Sequence, residues 1–142
     1  MNTNIPRRGI ERSFIADDEI RPAVWEGRPG YLIRVRLMSY RSLPLSCIED
    51  IQLTVDGARV APERLTFVLN GYGHKLDELG KLSRLWWFIL DAADLFVASE
   101  TPLAPGEHAV EATLVTVEPY VTGGRFSFYY PSAKRLSVAV DA

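Results

Sequence analysis

A chain of 142 residues with 47% hydrophobic side chains is long enough to bury its own core and too apolar to be disordered over most of its length. Its 16 basic and 18 acidic residues leave a net charge of -2, which excludes the one-signed field that draws nucleic acid or anionic lipid. The length fits one domain spanning residues 1–142.

Residues 1–12 read as a flexible N-terminal arm, with Arg7, Arg8 and Arg12 on a solvated segment rather than at a phosphate site. Met1 to Phe14 holds no apolar stretch of the kind a signal peptide requires. The longest uninterrupted apolar run, Leu85 to Leu90, is far short of the roughly 20 residues that cross a bilayer. Cys47 is the only cysteine, so no internal disulfide can form. These features lead us to expect a cytoplasmic protein.

Period-two alternation dominates the remainder of the chain. Tyr31, Ile33, Val35 and Leu37 point one way, with Arg34 and Arg36 opposed. Ile51, Leu53 and Val55 repeat the pattern, and Asp56-Gly57 supplies the positive-φ positions of a tight hairpin turn. Leu65, Phe67 and Leu69 alternate again before a second turn at Asn70-Gly71. His74 to Leu85 is the one segment that reads as helical, with Leu76, Leu79, Leu82 and Leu85 three apart and Asp77 and Glu78 near its start. Gly80 limits it to one or two turns. Asp91 and Asp94 fall where two apolar runs meet, which reads as a turn. Val110, Ala112 and Leu114 form a strand after Pro105-Gly106. Gly123-Gly124 turns into Phe126, Phe128 and Tyr130, and Leu136, Val138 and Val140 close the chain. The fold class expected is all-β: an antiparallel β-sandwich, jelly-roll-like, with one short helical segment.

Catalytic patterns are sparse. The histidines, His74 and His108, are far apart in sequence and sit in no metal-binding spacing. His108, at a strand entrance after Gly106-Glu107, reads as a hydrogen-bonded structural residue. No G-x-S-x-G elbow occurs, and Cys47 reads as a small buried apolar group. Gly71-Tyr72-Gly73 starts like a nucleotide loop, but Leu76 stands where the third glycine belongs. Glycosidases use paired carboxylates, so Asp91 with Asp94 and Glu49 with Asp50 need weighing. Adjacent residues on a strand face opposite sides, which separates Glu49 from Asp50.

The aromatic residues are the more informative group. Trp86 and Trp87 are adjacent, as are Tyr129 and Tyr130, so one of each pair cannot easily share the core with the other. Exposed aromatic groups mark a partner surface or a sugar platform. The bland alternative is that the sandwich and its loops cover both faces.

The string Tyr31-Leu-Ile-Arg-Val-Arg-Leu-Met-Ser-Tyr40-Arg41-Ser-Leu-Pro-Leu45-Ser-Cys-Ile-Glu49-Asp50-Ile51 adds a further signal. With Val55-Asp56-Gly57, Trp86-Trp87-Phe88 and Leu103-Ala-Pro-Gly106-Glu-His108, it resembles the small β subunit of bacterial C-glycoside deglycosidases over about Tyr31 to Tyr120. The Tyr-Arg-x-Leu-Pro-Leu segment is the most specific part.

The resemblance implies a lyase complex that cleaves the carbon–carbon bond between a 3-oxo sugar and its aglycone. It also implies a larger TIM-barrel, sugar-isomerase-like α subunit that holds the catalytic base and a divalent metal, manganese or magnesium. This chain would then carry no cofactor, no metal and no catalytic residue, and would not be catalytic alone. Tyr40, Arg41, Trp86, Trp87, Tyr129 and Tyr130 become candidates for the partner interface, since Tyr, Trp and Arg dominate interface hot spots. Tyr40 and Arg41 read equally well as a corner of the sandwich. The alternative function is a free-standing carbohydrate-binding module that stacks sugar rings on Trp86 or Trp87.

Overall fold

The computed structural model describes residues 13–38, 42–117 and 127–139. The elements are β1 (Ile15–Trp25), β2 (Arg28–Arg36), β3 (Leu43–Pro44), β4 (Ile48–Val55), β5 (Ala58–Arg59), β6 (Leu65–Leu69), β7 (Tyr72–Lys75), β8 (Trp86–Trp87), β9 (Ala92–Ala98), β10 (Glu107–Val117) and β11 (Ser127–Val138). Nine strands form one sheet in the order β5-β4-β10-β11-β1-β2-β9-β6-β7, and β3 pairs with β8 in a separate two-residue ladder. Every pairing is antiparallel except β1 with β11.

The all-β expectation holds, with a particular architecture. A single curled sheet takes the place of two separate ones. Its halves are joined by a short parallel ladder that pairs Glu19 and Ile20 with Ser137 and Val138. One buried cluster draws on both halves, joining Ile51, Leu53, Val110 and Leu114 to Ile33, Val35, Phe67 and Leu95. Alternation explains which side chains enter it. In β2 Tyr31, Ile33 and Val35 are buried while Arg34 is exposed, and Arg34 Nε reaches Asp94 Oδ1 directly across the ladder at 3.2 Å.

Three hairpins share one turn chemistry. Glu26-Gly27, Asp56-Gly57 and Asn70-Gly71 each place two successive residues at φ between 50° and 84°, the left-handed pair that matches strand twist. At Gly30 the backbones approach closely: a Cβ there would lie 2.0 Å from the Val97 carbonyl oxygen.

The one short helical segment is present as two turns of 3-10 helix, Leu76–Lys81, and other expectations need correction. Leucines strictly three apart match a helix of three residues per turn, and Leu76, Leu79 and Leu82 pack against the core. Asp94 lies within β9 rather than in a turn, paired in register with Arg34. The C-terminal segments are one strand, because Pro131 sits opposite Thr113 of β10 at a point where β1 does not pair with β11. β1 has no counterpart among the strands expected from alternation. Residues 1–12, the Gly123-Gly124 turn, Phe126 and Val140 lie outside the described residues. No helix among the described residues is long and apolar enough to cross a membrane.

Candidate functional site

The apolar run Leu85 to Leu90 supplies the most unusual surface. Trp87 faces inward and is fully buried, edge-on to Phe67 with ring centroids 5.0 Å apart. Its neighbours face out: Leu85 is 45% exposed, Trp86 40%, Phe88 56% and Leu90 92%. The backbone beneath them is tied at successive points. Leu45 N–H donates to the Leu85 carbonyl at 2.7 Å, and β3 and β8 pair Leu43 with Trp87 and Pro44 with Trp86. Ile89 N–H donates to Ser42 Oγ at 2.8 Å, and Asp91 N–H to the Phe88 carbonyl at 2.9 Å. Trp87 Nε1–H closes the segment by donating to the Asp91 carbonyl at 2.8 Å. The result is an apolar ridge on a fixed backbone.

The paired aromatics thus separate as strand geometry requires. Trp86 reaches the surface, whereas Trp87 supports it from beneath and is placed neither to touch a partner nor to stack a sugar. Tyr129 is 51% exposed on the outer face of β11, while Tyr130 packs against the core. Tyr40 and Arg41 lie outside the described residues. Ser42, directly after them, is tied to the ridge.

Elsewhere, polar groups form local structure. His108 Nδ1 lies 2.6 Å from Asp56 Oδ2, and Nε2 lies 2.7 Å from the Ala104 carbonyl. Both partners are acceptors, so both contacts are satisfied together when the ring carries two protons, as an imidazolium. The Asp56 hydrogen bond first, then the Ala104 carbonyl, raises the His108 pKa against the opposing effect of burial. The hydrogen bond from His108, then that from Ala109 N–H, lowers the pKa of Asp56. This staple fastens the Asp56-Gly57 turn to the start of β10, which agrees with the structural reading of His108. His74 sits on the edge strand β7.

Among the described residues no group of three His, Cys, Asp or Glu is placed to hold a metal ion. Asp94 pairs with Arg34; Asp50 accepts from its own strand, from Ile51 N–H and Gln52 Nε2; Glu49 accepts from Ser127 Oγ. A shallow hollow of about 500 Å³ lies over the outer faces of β4, β10 and β11, lined by Gln52, Thr54, Arg59, Glu111 and Thr113 among others. Its lining is polar and open, as the solvent face of an antiparallel sheet is expected to be.

Comparison with known proteins decides the family. The profile described as C-glycoside deglycosidase beta subunit matches residues 10–120. This chain belongs to the C-glycoside deglycosidase beta subunit family. The match takes in β1, which lies upstream of the Tyr31 to Tyr120 resemblance. The chain is 34% identical to a 3'-dehydrocarminate deglycosidase beta subunit from a Microbacterium species, over 91% of each chain. It is 37% identical to a C-glycoside deglycosidase beta subunit of Microbacterium trichothecenolyticum, over 82% of each chain. A third relative, the C-glycoside deglycosidase beta subunit of Arthrobacter globiformis, is 35% identical over 76% of this chain and 83% of its own. As a beta-subunit family member, the chain is the accessory component of a heteromeric enzyme.

Proposed function

We propose that this chain assembles with a larger, sugar-isomerase-like barrel subunit into a cytoplasmic enzyme that cleaves the carbon–carbon bond of 3-oxo-C-glycosides. Family membership over most of the chain carries this reading. The name of the Microbacterium relative adds to it, since a 3'-dehydro substrate is a sugar already oxidised at that carbon.

The chemistry is consistent. A ketone at C3 acidifies the proton on C2, and a base removes it. The electron pair left on C2 then eliminates across C1, the C1–aryl bond breaks with its pair, and the aryl carbon takes up a proton. A divalent metal in the partner, manganese or magnesium, would stabilise the negative charge on the oxygen next to C2. Base and metal belong to the larger subunit. This chain's own part is positioning, because misplacing catalytic groups by about 1 Å can cost on the order of 100-fold in rate.

The test is release of aglycone from a 3-oxo-C-glycoside by each purified subunit and by the two together. Only the mixture should turn over at the full rate. Full turnover by the larger subunit alone, or any turnover by this chain alone, would overturn the reading.

A further inference from the structure

We propose that the Leu85–Leu90 ridge is the segment by which this chain docks onto the larger subunit, seated in an apolar cleft that presents carboxylates opposite Lys81 and Arg84. The inference rests on the heteromeric reading and adds to it the contact surface and the chemistry that surface requires.

Size is the first argument. Fully open side chains of this kind offer roughly 150–250 Å² each for the aromatics. The fractional exposures of Leu85, Trp86, Phe88 and Leu90 then amount to an apolar patch on the order of 500 Å². A stable interface takes about 800 Å² from each partner, so the ridge would supply more than half of it. Among the described residues no other run exposes four large apolar side chains within six positions.

Rigidity is the second. Ordering a mobile loop on binding costs affinity, at about 0.5–1.5 kcal/mol for each immobilised side chain. Here the backbone is already fixed by Leu45, Ser42, the β3–β8 ladder and the Trp87 indole. Buried Leu43, Leu45, Phe67 and Trp87 support it from beneath. A large apolar surface on a preorganised backbone is the form that interface hot spots take.

Charge gives the partner its orientation. Lys81 and Arg84 are exposed at the upstream end of the ridge, and neither forms an ion pair among the described residues. Asp91 stands at the downstream end. A cleft with carboxylates at the Lys81–Arg84 end would therefore accept the ridge in one direction only.

The experiment co-expresses the full chain with the larger subunit and measures the Kd of complexes carrying Phe88→Glu, Leu90→Glu, Lys81→Glu with Arg84→Glu, or Tyr72→Glu as a control. Tyr72 is 73% exposed on β7, outside the Leu85–Leu90 segment. The replaced side chains are exposed, so the variants should melt with the wild type. Phe88→Glu and Leu90→Glu should each weaken binding at least 100-fold. The double charge reversal should weaken it about 10-fold, mainly through slower association at low salt, and Tyr72→Glu should lie within twofold of wild type. Wild-type binding with unchanged Phe88→Glu and Leu90→Glu complexes would overturn the ridge assignment alone. A wild-type chain that does not bind the larger subunit would overturn the heteromeric reading and the ridge with it. Two further outcomes would reassign the ridge, provided partner affinity is unaffected by Leu90→Glu. One is a self-associated chain that this variant makes monomeric; the other is adsorption to phosphatidylserine–phosphatidylcholine vesicles that it abolishes.

Discussion

At the scale of single residues, neighbours in sequence do opposite work. Trp87 is buried, and at about 25 cal/mol per Å² over about 200 Å² its burial contributes on the order of 5 kcal/mol. Trp86, one position before it, adds apolar surface that water disfavours. Alternation predicts that the pair splits, but which member faces inward needs the structure. The decision rests with Phe67, which is distant from the pair until the chain folds, and with the nearby Asp91 carbonyl that the Trp87 indole reaches. His108 is legible as structural from its place beside a Pro-Gly turn. Its partner Asp56, 52 positions earlier, is visible in the sequence only as a turn residue.

The His108–Asp56 staple carries a pH signature. His108 has a raised folded-state pKa, so its contribution is complete below the unfolded histidine value of about 6.5 and is lost as pH rises through the folded value. Asp56 has a lowered folded-state pKa, so its contribution is complete above about 3.9 and is lost as pH falls through the folded value. The neighbouring Arg135, itself paired with Glu107, helps hold Asp56 ionised. The stability gap between wild type and His108→Ala should therefore be widest from about pH 4 to 6.5 and should narrow towards alkaline pH. Urea titrations across that range provide the check. A gap that widens above neutrality would contradict the imidazolium assignment.

At the scale of elements, the strands that read clearly are those with unbroken alternation: β2, β4, β6 and β10. β1 is hidden for a definite reason. Ile15 and Ile20 both point into the core although they stand an odd number of positions apart, which the register shift between them allows. Asp17, Asp18 and Glu19 fill the interval and look like loop. Its hairpin is hidden as well, because Glu26 occupies a φ of 51° that Asn or Asp adopts far more readily. Glu26 is exposed, so Glu26→Asn should stabilise the protein by about 1 kcal/mol, seen as a melting temperature a few degrees higher. An unchanged or lower melting temperature would show that the turn is not strained. The leucines spaced by three carry the right information, but the period they mark is 3.0 and not 3.6.

At the scale of the whole molecule, the two halves of the sheet are joined at its middle by β1 and β11, near the two ends of the described chain. A pairing so distant in sequence leaves no local mark, which is why alternation alone points to a sandwich of separate sheets. The candidate surface is legible in composition, as a surplus of large aromatics. Its location is not, since exposure depends on what the fold leaves uncovered. The family resemblance links that surplus to a partner, and the ridge that carries β8, tied to β3, is where Trp86 and Phe88 reach solvent side by side with Leu85 and Leu90.

The central claim is that this chain supports carbon–carbon cleavage without supplying its acid or base. Turnover of a 3-oxo-C-glycoside by the reconstituted complex carrying Asp91→Asn, measured at saturating subunit concentration, tests it most directly. Asp91 is the carboxylate beside the ridge, and its structural contribution comes from backbone groups that the amide leaves intact. The account predicts that the variant assembles normally and turns over within a fewfold of wild type. Normal assembly with turnover abolished would mean that this subunit carries chemistry of its own.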